Sequence, residues 1–160
     1  MKLGAFRPQP VAQLLTLGDV CGQREWPDYL GLGLTPDHVP DLIRMTQDED
    51  LHWADAGSAE VWAPVHAWRA LAALGAEEAV PPLVALFDRI DAYDDDWVGE
   101  DLPKALGVLG PAAILELRDY LADASHGLWG RVAASVSLAR IGQRHPQART
   151  LCVAILAGQL

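Results

Sequence analysis

Cysteine is scarce in this chain. Cys21 and Cys152 are the only two in 160 residues, and they form neither a metal-ligand spacing nor a disulfide framework. Reduced thiols in a cytoplasmic protein are the expectation. Bases are also few, at 12 against 22 acids, for a formal net charge of −10. Such a chain repels nucleic acid unless a basic patch concentrates its positive charge. No run reaches the roughly 18 apolar residues needed to span a membrane. The opening MKLGAFRPQP carries two bases, but prolines follow at once and Gln13 and Thr16 interrupt the next apolar run, which makes a poor signal peptide. β-branched residues are sparse beside Ala and Leu, and no segment alternates with period two, which argues against strands.

Hydrophobic residues make up 51% and charged residues 21% of the chain, enough for a core and unlike a disordered segment. The length suits one domain over residues 1–160. Charge is unevenly spread. Residues 1–117 hold 20 acids and 7 bases, whereas 118–160 hold Asp119 and Asp123 against Arg118, Arg131, Arg140, Arg144 and Arg149. The acidic part and the basic end could attract each other between molecules.

An internal repeat organises the rest. Trp62, Trp97 and Trp129 each precede a glycine by thirteen residues, at Gly75, Gly110 and Gly142. Each glycine follows an apolar ending in which two large residues lie three apart: Leu71 and Leu74, Leu106 and Leu109, Leu138 and Ile141. That spacing puts each pair on one helical face. Small residues precede them, Ala70, Ala105 and Ser137, and allow neighbouring helices to approach. The glycines can take the left-handed conformation that ends a helix. A second helix is expected after each, through Val80, Leu83 and Leu86, then Ile114, Leu117 and Tyr120, and less well through Ala148, Leu151 and Ile155. An earlier segment, Val39, Leu42 and Met45, matches them. The units step by 35 and 32 residues, a period typical of solenoids.

These features predict four helix pairs. A degenerate first pair lies within about 9–47, with an extra turn near Trp26 to Leu32, and the others span roughly 58–90, 95–123 and 126–159. Pro103 falls inside a predicted first helix and Pro64 near the start of another, where proline kinks or breaks the helix.

The Trp…Ala-Leu…Leu-Gly segments followed by a Val-x-x-Leu-x-x-Leu helix resemble HEAT repeats, in particular the short HEAT-like repeats of phycobilisome lyases. The resemblance covers residues 58–160 well and residues 1–57 only as a degenerate portion. It implies an all-α fold, a right-handed α-α superhelix of about four helix pairs. The HEAT family's first helix is often bent by a proline, and Pro103 fits that habit. The recurrent Trp is not a general HEAT feature and suggests a narrower bacterial branch. The family consists largely of interaction scaffolds, so the resemblance implies a fold more than an activity.

Several constellations could carry chemistry. Asp91, Asp94, Asp95, Asp96, Glu100 and Asp101 form a run with no base among them. Asp at a helix start accepts hydrogen bonds from free N–H groups and suits the positive end of the dipole. The sharper alternative is a site for a basic partner or a hard cation, although the spaced oxygens and glycine turn of a calcium loop are missing. If the pairs stack, Trp62, Trp97 and Trp129 form a row, with His66 and Asp101 one turn on and with Trp53 and Asp55 extending it. Such a row either seals the gaps between pairs or makes a binding edge, since Trp beside carboxylates anchors peptides and cations.

No HExxH pair, P-loop, G-x-G-x-x-G or G-x-S-x-G elbow occurs. No His is followed by Glu, as it is in HEAT-like hydroxylases that hold iron. The adjacent Ser125 and His126 lack the geometry of a nucleophile and its base.

The expectation is a protein-binding scaffold without catalysis, cofactor or metal. Its partner would carry a basic or mixed-charge segment, and neither nucleic acid nor membrane would be bound. Self-association is possible through the apolar C-terminal helix, which has no obvious polar cap. The candidate docking residues are Trp53, Asp55, Trp62, His66, Asp94, Asp95, Asp96, Trp97, Asp101 and Trp129. The alternative is an enzyme or cofactor-attachment factor of the phycobilin-lyase kind, holding a flat ligand on a wall of Trp and carboxylates.

Overall fold

In the computed structural model, residues 9–159 are described. The first eight residues, which include most of the opening MKLGAFRPQP, and Leu160 lie outside them. Among the described residues every regular element is helical. The chain divides into two compact units between Ala76 and Glu77, a boundary that falls inside the predicted pair 58–90.

In the first unit, a 3-10 turn at Val11–Leu15 precedes helices α1 (Val39–Thr46), α2 (Glu49–His52) and α3 (Ala63–Ala73). In place of a full first helix, the predicted first pair has this short turn, a further turn over residues 29–33 and a 3-10 turn at Pro36–His38 that leads into α1. α1 presents Val39, Leu42 and Met45 on one buried face, as their spacing requires, and packs on α3. Asp48 caps α2 by accepting from the N–H groups of Asp50 and Leu51. Pro64 sits in the first turn of α3, where its missing N–H costs nothing. α3 then stops at Gly75, at φ +66°. Ala76 N donates to Leu71 O and Gly75 N to Ala72 O, both at 3.0 Å, which is the paired hydrogen bonding of a left-handed helix end.

The second unit holds α4 (Val80–Ala85), α5 (Asp88–Tyr93), α6 (Asp96–Glu100), α7 (Leu102–Leu109), α8 (Ile114–Ala122), α9 (Leu128–Arg144) and α10 (Arg149–Ala157). Pro103 breaks the predicted first helix of the 95–123 pair. α6 ends at Glu100, and α7 starts with Pro103 in its first turn. α9 is the centre of the unit and packs against α5, α7, α8 and α10. The small residues act as expected: Ala105 and Ser137 are fully buried. A Cβ at Gly107 would stand 3.1 Å from the Cβ of Arg140, so α7 and α9 nearly touch backbone to side chain.

The third repeat glycine departs from expectation. Gly110 has φ +77° and ends α7, but Gly142 lies inside α9, which runs on to Arg144. A Cβ there would come within 3.3 Å of Cys152 Cβ, so this glycine serves close packing of α9 on α10. In α10 itself Cys152 is buried, while Leu151 (50%) and Val153 (59%) face outward. The predicted Ala148, Leu151, Ile155 face therefore holds only at Ala148 and, half-buried, at Ile155.

Candidate functional site

The three consecutive aspartates have three different fates because α5 ends among them. Asp94 closes α5 in the left-handed conformation (φ 54°), which Asp tolerates better than most residues. Asp95 caps α6 by accepting from Val98 N at 3.3 Å, and takes Arg89 Nε at 3.1 Å. Arg89 is itself buried and lies 5.1 Å from the Tyr93 ring centre. Asp96 begins α6 and is exposed.

The remaining acids of α5 are structural. Asp91 receives Trp129 N at 3.0 Å and Gly130 N at 2.8 Å, one on each carboxylate oxygen. It caps α9 from another helix, because α9's own N-cap is Gly127 and has no side chain to do so. A Cβ at Gly127 would collide with this carboxylate, so glycine is required there. One turn earlier, Asp88 Oδ1 accepts the Tyr120 hydroxyl at 2.6 Å and lies 2.9 Å from His126 Nδ1. The Tyr120 and His126 rings stack at 3.7 Å. Burial of Tyr120, then its bond to Asp88 and the charges of Asp88 and Asp91, push its pKa well above the usual tyrosine range.

With these carboxylates engaged, Asp94, Asp96 and Glu100 remain exposed, and among the described residues no base pairs with them. They rim an open groove of about 440 Å³ between α5–α6 and α9. Its apolar surface comes from Ile90, Gly99, Trp129, Val132, Ala133 and Val136. Trp129 (60% exposed), Val132 (41%) and Val136 (40%) lie at i, i+3 and i+7 along α9 and form one outward stripe. The opposite stripe of α9, through Ala134, Ser137, Leu138 and Ile141, is buried in the unit.

The groove thus brings together Asp94, Asp96 and Trp129 of the sequence-predicted set. Asp95 is turned to Arg89 and the α6 cap, Asp101 is buried, and Trp97, 37% exposed, lies outside the groove. In the first unit, Trp62 is half-buried. Trp53 is exposed and donates its indole N–H to Glu49 at 2.9 Å, while Asp55 accepts Gly57 N in a tight turn. His66 is fully buried. Its Nε2 lies 2.8 Å from Gly18 O and therefore donates, which leaves Nδ1 to accept the Tyr29 hydroxyl at 2.8 Å. It is a satisfied core histidine.

Ile90, Gly99, Val132 and Val136 were missed by sequence reasoning. The two valines were within its reach, since the same 3.6-residue period that marks a buried face marks an exposed one. Gly99 and Ile90 carry no such signal.

Neither Ser125 nor Cys21 is activated as a nucleophile. Ser125 Oγ donates to Asp123 at 2.7 Å while His126 turns to Asp88. The exposed Cys21 thiol has its pKa raised, first by its hydrogen bond to Asp19, the opposite of what a thiolate nucleophile needs. No cluster of three metal-ligating side chains occurs among the described residues, and no helix among them is long and apolar enough to cross a membrane. Comparison with known proteins finds no matching family model, no matching curated protein and no matching solved structure.

Proposed function

We propose that this chain is a protein-binding scaffold of the HEAT-like kind, in which helix pairs stack as a right-handed superhelix and no reaction is catalysed. One observation carries the reading: three carboxylates with no base beside them border an exposed apolar stripe that ends in a tryptophan. Exposed Trp in an apolar patch is the usual anchor of a protein contact. Unpaired acids around it select a partner with a basic or mixed-charge segment and repel acidic ones. Within the repeat, α9 is the first helix of its pair, so this docking face differs from the concave face that solenoids usually build from second helices.

A flat cofactor is a weaker reading. Such a ligand is held by enclosing most of its surface, and this groove is open with Trp129 as its single aromatic wall.

The test is site-specific crosslinking in the native cell. A photo-reactive residue at Val132 should capture a discrete adduct, and the same group at Leu115, exposed on α8, should not. Identical adducts at both positions, or none at Val132, defeat the proposal.

A further inference from the structure

The shape and charge of the groove narrow the class of partner. We infer that it receives a cationic amphipathic α-helix, laid along α9 with its apolar side on Trp129, Val132 and Val136 and its Lys or Arg residues toward Asp94, Asp96 and Glu100. This rests on the docking reading above and adds the conformation and charge of the occupant.

Three features lead there. First, the described residues contain no strand, so an extended peptide finds no sheet edge to join. The remaining apolar surface is a helix face, whose ridges pack best against those of another helix. Second, Trp129 to Val136 spans about 10 Å at 1.5 Å per residue, two turns, so a short helix covers the stripe. Its own anchors then recur at i, i+3 or i+4, and i+7. Third, the acids lie on one side only. They belong to the end of α5 and to α6, while the lining residues from α9 are all uncharged. A helix lying in the groove therefore meets negative charge along one flank and apolar side chains beneath. An amphipathic helix with bases flanking its apolar stripe satisfies both at once, since Lys and Arg can rest their stems on apolar surface and extend their charges to the rim.

Gly99 supplies a clean handle. It sits in α6 at the groove, and a Cβ there would meet Ile90 Cδ1 at 3.6 Å, an ordinary contact. The backbone therefore accepts a Cβ at this position, and the bulkier Gly99→Leu side chain is chosen to occupy the groove.

The experiment measures fluorescence anisotropy of a labelled amphipathic Leu/Lys peptide titrated with the full chain. Two control peptides are used, one with Glu in place of Lys and one with a proline at its centre. The Leu/Lys peptide should bind saturably and Gly99→Leu should abolish binding. The D94N/D96N/E100Q variant should weaken it about tenfold, the sum expected of three exposed ion pairs. Raising salt from about 0.05 M to about 0.5 M should weaken it too. The Glu peptide should not bind, and the proline peptide should lose most of its affinity because its helix is broken.

Equal binding of the proline peptide overturns the helix, and equal binding of the Glu peptide overturns the charge. Unchanged binding by the D94N/D96N/E100Q variant overturns the assigned rim, and that variant alters only exposed side chains, so it stays informative if Gly99→Leu misfolds. If no peptide binds while Val132 still captures a discrete adduct, the occupant is wrong and docking stands. If Val132 also captures nothing, both fall.

Discussion

Helix α3 buries every residue from Ala63 to Ala72, whereas α9 buries seven of its seventeen, all on one side. Both occupy the same place in the Trp-to-Gly frame. In the first unit the interior tryptophan, Trp68, is 1% exposed, and the histidine beside it donates from Nε2 and accepts at Nδ1. In the second, the tryptophan at the helix start is 60% exposed, and its backbone N–H is held by Asp91. One repeat pattern has produced a core helix and a surface helix. The difference teaches that the shared small residues and Leu spacing describe one buried face, while the remaining faces are set by whatever packs next to them.

Four measurements would break or sharpen that contrast. Trp68→Ala should cost about 3–5 kcal/mol, since it opens a cavity in a helix buried all round. Chemical denaturation should show the loss, and a cost below about 1 kcal/mol would mean that α3 is less enclosed than its burial indicates. Asp91→Ala should cost about 1–2 kcal/mol by uncapping α9 from a distance. Amide exchange should accelerate first at Trp129 and Gly130; unaltered exchange there would remove Asp91 from the cap.

Tyr120→Phe should cost about 1 kcal/mol near neutral pH. Its pH dependence has a definite sign. A tyrosine pKa raised in the folded state contributes stability that is fully present below the unfolded value, about 10, and is lost as pH rises above it. The wild type should therefore lose stability more steeply in alkali than Tyr120→Phe, and parallel alkaline curves would contradict the burial of the hydroxyl together with its Asp88 bond. The smallest effect belongs to Trp129→Ala, within about 0.5 kcal/mol, because its side chain leaves little behind in the unit. A loss comparable to that of Trp68→Ala would erase the distinction between the two helices.

Much of the helical layout was legible. The faces Val39–Leu42–Met45, Val80–Leu83–Leu86 and Ile114–Leu117–Tyr120 are all buried, and so are the small residues Ala70, Ala105 and Ser137. Local spacing suffices for these, because side chains three and four apart share a helix face whatever the tertiary context. Gly142 was misread as a terminator since a glycine fitted for a left-handed turn and one fitted for close approach look alike until the neighbour, here Cys152, is placed. The candidate site was legible only in its ingredients. Asp94, Asp96 and Trp129 stood out by type, yet so did Asp95, Asp101 and His66, which the fold turns inward.

By itself, the sequence determined that this protein is helical, which residues share the buried faces of α1, α4 and α8, and that acids outnumber bases along its first 117 residues. Those properties depend on neighbours within a turn or two, or on composition. Asp48 and Asp95 cap their own helices within three residues, but tertiary structure alone decided which other carboxylates are engaged and which are left over. Asp91 meets its partners 38 and 39 residues further along, and Asp88 meets Tyr120 and His126 at 32 and 38. A hydrogen bond is satisfied by proximity in space, so the three acids left at the groove could be known only once α9 had been brought against α5.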